Sequence, residues 1–289
     1  MTYDWHSSLS REYFREFQGR GVIVAGGAGG MGAALADAFH WLGAKVAIVD
    51  KSIDLALSLA ADLKDRGAKD SFNTFDPAAI TADMGDEVER TRAMAAAVDA
   101  VGAPAAFIST LGYDSRVGFE ALGQAQAEML MRINFFAPFF AARDVLEPMR
   151  RGGGGAICLF TSRHGAEIFE PDMTGYGCAK AALDSGIRRL AVRAGEGNSA
   201  DNIIRVFGFC PGWVQTDAQK ARFTKQNFID AAREQLVPRG MGPEDIVPSL
   251  VFSLSHYAGL LSGATLRLDG GEGQIKTSAV TDGSKKGAA

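Results

Sequence analysis

Unbroken apolar runs alternate with amphipathic stretches along most of this chain. A short β-branched run, Gly21-Val22-Ile23-Val24-Ala25, opens into the turn Gly26-Gly27-Ala28-Gly29-Gly30-Met31-Gly32 and then into a helical pattern over 33–42. The run 45–49 ends at Asp50 and precedes a helical stretch over 55–66. A third strand is predicted over 71–75, a helix over 87–101, a fourth strand over 105–109, and one long or broken helix over 125–149. Strand 156–160, helix 176–194, strand 203–209, helix 246–255 and a closing strand 266–268 complete the series. Strands that read as continuous apolar runs are buried on both faces, so the alternation predicts an α/β fold. It would be a single doubly wound domain whose seven-stranded parallel sheet carries helices on both faces, joined by right-handed crossovers.

That domain is expected over 21–271. Residues 1–20 form an N-terminal extension in which the amphipathic stretch 9–17 predicts a short docking helix. A mixed polar and aromatic insertion at about 217–240, with Arg222, Phe223 and Phe228, is expected to act as a lid. The polar tail 272–289 is expected to be a poorly ordered end. No internal repeat is visible.

Composition narrows the classes. With 47% hydrophobic and 22% charged residues in 289, the chain is neither disordered nor collagenous. Its 34 acidic and 30 basic residues give a net charge of −4, so neither nucleic acid nor an anionic membrane is an expected partner. Three cysteines without a CxxC pair and four scattered histidines signal no disulfide frame and no metal site; Cys158, Cys178 and Cys210 read as small buried residues. No apolar run reaches the roughly 18–20 residues of a membrane span, and the start is polar, so a soluble cytoplasmic protein is expected.

Candidate chemistry gathers where strands end. A glycine-rich turn between a strand and its helix leaves backbone N–H groups and the helix N-terminus open to a pyrophosphate. Glycines also serve plain tight turns, so the pattern alone is a weak signal. Asp50, at the end of the second strand, is placed to accept from both hydroxyls of an adenosine ribose and to repel a 2′-phosphate, which favours NAD over NADP; a turn or cap aspartate is the plainer reading. Tyr176 and Lys180 are four apart on a helix, which sets a phenol beside an ammonium, a pair suited to moving a proton. Ser162 ends the fifth strand, where a hydroxyl can bind a substrate oxygen. A serine hydrolase is disfavoured because no G-x-S-x-G elbow occurs and because the side chains of Ser162 and His164, neighbours on an extended segment, are expected to diverge.

Taken together, these residues resemble the short-chain dehydrogenase/reductase family over roughly 20–271. The segment Ala25-Gly26-Gly27-Ala28-Gly29-Gly30-Met31-Gly32 is similar to its Thr-Gly-x-x-x-Gly-x-Gly turn, with Ala in place of Thr. Tyr176 and Lys180 resemble its Tyr-x-x-x-Lys motif, Ser162 its strand-end serine and Asn134 its helical asparagine. Asp83-Met84 resembles its adenine-side aspartate segment, and Pro211-Gly212-Trp213-Val214-Gln215-Thr216 its Pro-Gly-x-x-x-Thr segment. Asp269-Gly270-Gly271 resembles its C-terminal signature. Ser109-Thr110-Leu111-Gly112 departs from its Asn-Asn-Ala-Gly, keeping only Gly112, and the Ser162–Tyr176 interval is about one residue longer than the family's.

The resemblance implies a Rossmann-type domain that binds NAD and interconverts a secondary alcohol and a ketone. Tyr176 would be general acid/base, Ser162 would polarise the reacting oxygen, Lys180 would bind the nicotinamide ribose and lower the tyrosine pKa, and Asn134 would hold a relay water. Cofactor contacts would come from Gly26, Gly30, Met31, Gly32, Asp50, Asp83, Met84, Thr110, Gly112, Tyr176, Lys180, Pro211, Val214 and Thr216. The alternative is a catalytically silent NAD(H)-binding regulatory or sensor protein on the same fold. A homodimer or homotetramer is implied, with the face bearing Phe135, Phe136, Phe139 and Phe140 compatible with it. Tyr113, Trp213, Phe223 and Phe228 are candidates to line an apolar pocket, and Arg116 or Arg163 to meet a carboxylate.

Overall fold

The computed structural model describes residues 9–233 and 235–272. Seven parallel strands form one sheet in the order β3-β2-β1-β4-β5-β6-β7: β1 Gly21–Ala25, β2 Lys45–Asp50, β3 Ala78–Thr81, β4 Pro104–Ser109, β5 Gly154–Phe160, β6 Ile203–Pro211 and β7 Thr265–Leu268. The helices are α1 Gly30–Trp41, α2 Ile53–Asp70, α3 Glu87–Val101, α4 Gln124–Met131, α5 Ala137–Arg151, α6 Thr174–Gly195, α7 Asp217–Arg222, α8 Lys225–Arg233 and α9 Pro243–Leu254. Burial on both faces follows from the apolar runs. Within β1, Val22 and Val24 join a core that includes residues of α1, α2 and α9, whereas Ile23 and Ala25 join one that includes residues of α3, α5 and α6. The expected Rossmann-type sheet is therefore observed. Its strand order reverses between β1 and β4, and such a reversal opens a crevice at the carboxyl ends of the strands.

Three local expectations are corrected. The third strand lies at Ala78–Thr81, not at 71–75. Ser71 takes a left-handed conformation as the cap of α2, and the buried Asn73 amide donates to His40 O (2.7 Å) and Ala44 O (2.9 Å), so this segment is a connector. The true strand pairs only with β2, at the sheet edge, and its partly buried Ala-Ala-Ile-Thr carries a weaker apolar signal than the inner strands. The stretch 9–17 forms no docking helix. It runs through turns into a single 3₁₀ turn, Arg15–Phe17, whose Phe17 ring packs edge-on against Phe39 at 4.9 Å.

The third correction concerns cysteine: Cys158 and Cys210 are buried as expected, but Cys178 is exposed on α6. The helix expected over 125–149 is broken. A π turn, Arg132–Phe136, separates α4 from α5 and contains the fully buried Asn134. One extra residue in a helical turn rotates its side chains, and such turns recur at functional sites. The insertion 217–240 contains α7 and α8. Apart from Glu272, the polar tail lies outside the described residues.

Candidate active site

Glycine is required repeatedly in the turn after β1; a Cβ at Gly27, for one, would lie 2.6 Å from Val24 O. Gly26 is left-handed (φ +75°), and a Cβ there would lie 2.8 Å from Thr110 Oγ1; a Cβ at Gly32 would lie 2.1 Å from Gly26 O. Gly30 packs against Thr216, and α1 begins with no side-chain cap and no acidic residue in its first turn. Its leading N–H groups thus lack a side-chain acceptor, the arrangement that a pyrophosphate satisfies.

Thr110 explains how the departure from Asn-Asn-Ala-Gly is tolerated. Its amide donates to Ala25 O (2.9 Å) and its hydroxyl to Gly26 O (2.9 Å), tying the end of β4 to the glycine turn. Asp50 secures the same turn from the other side. It accepts from Ala28 N and Ser52 N, both at 3.1 Å, and remains half-buried. Asp83 closes a turn by accepting from Gly85 N (2.9 Å), beside the buried Met84. A Cβ at Gly112 would meet Asn134 Oδ1 and Lys180 Nζ at 3.6 Å, ordinary contact, so the protein's own packing does not demand glycine there.

A cavity of about 490 Å³ lies at the carboxyl ends of the strands. Met31, Thr110, Gly112, Pro211, Val214 and Thr216 all line it, as do Ser162, Tyr176 and Lys180. Asn134 lies fully buried outside the lining, with its amide group engaged with Tyr113 N, Tyr113 O and Leu130 O at 2.8–3.0 Å. Gly26, Gly30, Gly32, Asp50, Asp83 and Met84 are likewise outside the cavity lining.

Ser162 and Tyr176 meet despite the longer interval between them. Short 3₁₀ turns at Arg163–Gly165 and Pro171–Met173 take up the chain, and both side chains line the same cavity, where the Ser162 hydroxyl acts on the phenol. Lys180 Nζ donates to Phe160 O (2.8 Å) and Leu111 O (3.1 Å). Burial pushes the Lys180 pKa down to about 8 and the Tyr176 pKa up to about 12, with Ser162 pulling the phenol the other way. In the protein without cofactor, burial is the dominant influence on the phenol.

Tyr113, Trp213, Phe223, Arg116 and Arg163 line the cavity, as anticipated; Phe228 instead packs tilted against Trp213, ring centroids 4.6 Å apart. Neither arginine offers an unneutralised charge. Arg116 pairs with Glu170 (2.8 Å) and Asp172 (3.0 Å), and buried Arg163 with Glu272 (2.6 Å) and Asp269 (3.6 Å). Arg222, at the end of α7, pairs with Asp114 on the loop after β4 at 2.7 Å.

Sequence reasoning placed His164 at the mouth of the pocket or on the surface and set it aside as diverging from Ser162; it lines the cavity. Its side chain does not diverge from Ser162: the turn after Ser162 curls back, so His164 N (3.3 Å) donates to the serine hydroxyl and His164 Nδ1 lies 3.3 Å from it. The available signal was a serine two residues before a potential turn, a pattern that caps its own backbone.

The family profile described as enoyl-(acyl carrier protein) reductase matches residues 26–272. A probable galactose dehydrogenase of Rhizobium meliloti is 29% identical over 91% of this chain and 99% of its own length. The 7alpha-hydroxysteroid dehydrogenase of Escherichia coli K12 is 29% identical over 88% of this chain and 94% of its own. A solved 7 alpha-hydroxysteroid dehydrogenase, complexed with NADH and 7-oxo glycochenodeoxycholic acid, superposes with a TM-score of 0.80 at 27% identity, covering 90% of this chain and 96% of that one. Among the described residues no helix is long and apolar enough to cross a membrane, and no cluster of His, Cys, Asp and Glu is arranged to hold a metal. With the glycine turn and the Ser162, Tyr176 and Lys180 cluster in one crevice, and with relatives that are dehydrogenases, this chain belongs to the short-chain dehydrogenase/reductase family of oxidoreductases.

Proposed function

We propose that the protein interconverts a secondary alcohol and a ketone with NAD as its cofactor. The observation that carries this reading is that Ser162, Tyr176 and Lys180 line one cavity, which the strand ends around the glycine turn also border. A bound nicotinamide supplies the hydride exchange, and in its oxidised form a positive charge. Gly26, Gly30, Gly32 and the uncapped start of α1 accommodate the pyrophosphate, and Met31, Thr110, Pro211, Val214 and Thr216 shape the wall along it. Asp50 keeps lone pairs beyond its two backbone bonds, which suit ribose hydroxyls and disfavour a phosphate. Asp83 and Met84 border the adenine side.

Tyr176 protonates or deprotonates the reacting oxygen, Ser162 polarises it, and Lys180 orients the nicotinamide ribose. Asn134, rigid in its π turn, holds the Tyr113 backbone beside Gly112 and Lys180. The profile's description as an enoyl reductase is less favoured, since Tyr176 and Lys180 keep the spacing of carbonyl and alcohol chemistry. The helices α7 and α8 form the lid, latched by Arg222 to Asp114. The clustered rings of Phe135, Phe136, Phe139 and Phe140, with Phe136 exposed, suit a homo-oligomer contact. The test is absorbance at the NADH band with NAD or NADP and a panel of secondary alcohols, including the sugars and hydroxysteroids that the relatives' names suggest. Turnover that disappears in Tyr176→Phe supports the reading; NADH binding without turnover across the panel sinks it.

A further inference from the structure

His164 sits where the proposed mechanism has no use for it. Its Nδ1 is 3.3 Å from Ser162 Oγ, and its ring meets the Tyr176 ring edge-on with centroids 5.9 Å apart. On the far side, Nε2 is buried without a hydrogen bond among the described residues and lies 3.7 Å from Glu170 Oε2. Gly177 allows this packing, since a Cβ there would lie 2.6 Å from His164 O. Hydroxyl, imidazole and carboxylate thus follow one another, with the Tyr176 ring against the imidazole. Arg116 holds the carboxylate in place at 2.8 Å.

We propose that Ser162, His164 and Glu170 are a second proton path from Tyr176, with His164 as a positioning and relay residue that acts through Ser162. The proposal rests on the dehydrogenase reading. In alcohol oxidation, for which a bound oxidised nicotinamide would supply the hydride acceptor, the hydroxyl proton passes to Tyr176. The phenol proton moves to Ser162 Oγ as the serine proton moves to His164 Nδ1. Glu170 then faces the resulting imidazolium. Reduction reverses each transfer, so oxidation needs a neutral imidazole and reduction a protonated one.

The groups facing His164 are Ser162 and Arg163 on its own turn, Glu170 and Arg116 on the neighbouring loops, and Tyr176 on α6. Burial lowers its pKa most, Glu170 opposes that, and Arg116 and Arg163 reinforce it. His164 is accordingly neutral at pH 7, and the oxidation rate should decline as pH falls through its pKa.

Two measurements test the path. The first follows the pH profile of kcat/KM for oxidation in the wild type, Glu170→Gln and His164→Ala. The expected result is loss of the acidic limb in His164→Ala, with about a five- to tenfold lower rate at pH 7 that added imidazole restores, and a limb moved to lower pH in Glu170→Gln. A limb unchanged in both variants, or a pH-independent loss that imidazole does not rescue, overturns the proposal.

The second is an NMR titration of the His164 ring in the cofactor-free protein, wild type and Glu170→Gln, which needs neither turnover nor a folded His164 variant. A pKa lowered in Glu170→Gln supports the line of contacts; an unmoved pKa overturns it. Absence of turnover with every alcohol would count against the dehydrogenase reading alone, leaving this titration to decide on the path.

Discussion

Lys180 Nζ lies 5.8 Å from the centre of the Tyr176 ring and gives hydrogen bonds to the carbonyls of Leu111 and Phe160. The helical i,i+4 spacing brings the two side chains alongside, but β4 and β5 decide what the ammonium touches. Burial then acts on both groups in the direction of neutrality, lowering the lysine to about 8 and raising the tyrosine to about 12. The protein alone therefore keeps a protonated phenol, and the charge that would favour phenolate has to arrive with the cofactor.

Replacing the phenol tests this directly. Tyr176→Phe should lower kcat by about 10²–10⁴-fold, the range for loss of a positioned acid or base, while NADH affinity measured by fluorescence changes little. A variant that retains more than a tenth of wild-type kcat would remove Tyr176 from the chemistry.

The buried lysine makes stability depend on pH. Its folded pKa, about 8, lies below its ordinary 10.5, so between these values the unfolded chain binds more protons. Stability from this group must rise as pH increases from 8 towards 10.5, by the order of 1–3 kcal/mol in full. Above pH 10 Tyr176 acts oppositely, because its raised pKa leaves the folded state holding a proton that the unfolded state loses. Denaturant melts of wild type and Lys180→Met at pH 7.5, 8.5 and 9.5 should show the wild type gaining on the variant at each step. A constant difference would contradict the lowered pKa.

At Gly32 a single methyl has no room. Its Cβ would lie 2.1 Å from Gly26 O, a backbone atom that cannot rotate away. Gly32→Ala should cost about 1–3 kcal/mol in stability and weaken NADH binding by at least about tenfold, read by chemical melts and calorimetry. Binding that survives unchanged would place the pyrophosphate elsewhere.

On the proposed reading, cofactor choice turns on Asp50. Asp50→Ser removes the negative charge and should raise the NADP-to-NAD ratio of kcat/KM by about tenfold or more. Losing its bonds to Ala28 N and Ser52 N should also cost about 1 kcal/mol or somewhat more. An unchanged ratio would leave Asp50 as a turn residue only.

The latch between Arg222 and Asp114 joins two partly exposed side chains, so it adds at most about 1 kcal/mol to stability. Arg222→Ala should leave Tm nearly unchanged while raising KM about two- to fivefold, because the proposed lid would then spend more time open. A change in Tm without one in KM would assign the pair a structural role instead.

Several elements were legible from the chain because their signals are local. The apolar runs of β1, β2, β4, β5 and β6, the glycine turn and the Tyr176–Lys180 spacing each follow from backbone geometry and from what a doubly buried strand must be made of. Strand β3 was not, because this edge strand has one neighbour and only four partly buried or exposed residues, Ala-Ala-Ile-Thr, while the aromatic and β-branched Phe72, Thr74 and Phe75 of 71–75 carry the stronger strand preference. The break at Arg132–Phe136 was legible only as an alternative, since a π turn changes one hydrogen-bond register and leaves the helical pattern on either side intact.

Chain order alone thus determined an α/β alternation, a phosphate-sized turn and a phenol–ammonium pair, all set by contacts within a few residues. Tertiary structure decided the rest. Thr110 replaces the lost amides by reaching Gly26 across the sheet, and Arg116 and Arg163 are neutralised by carboxylates from separate segments. His164 meets Ser162, Tyr176 and Glu170 because a 3₁₀ turn curls it back. The physical reason is common to all three. Periodicity reports which side of an element faces the core, whereas the partner a side chain finds, and the pKa it then takes, depend on which distant segments the fold packs against it.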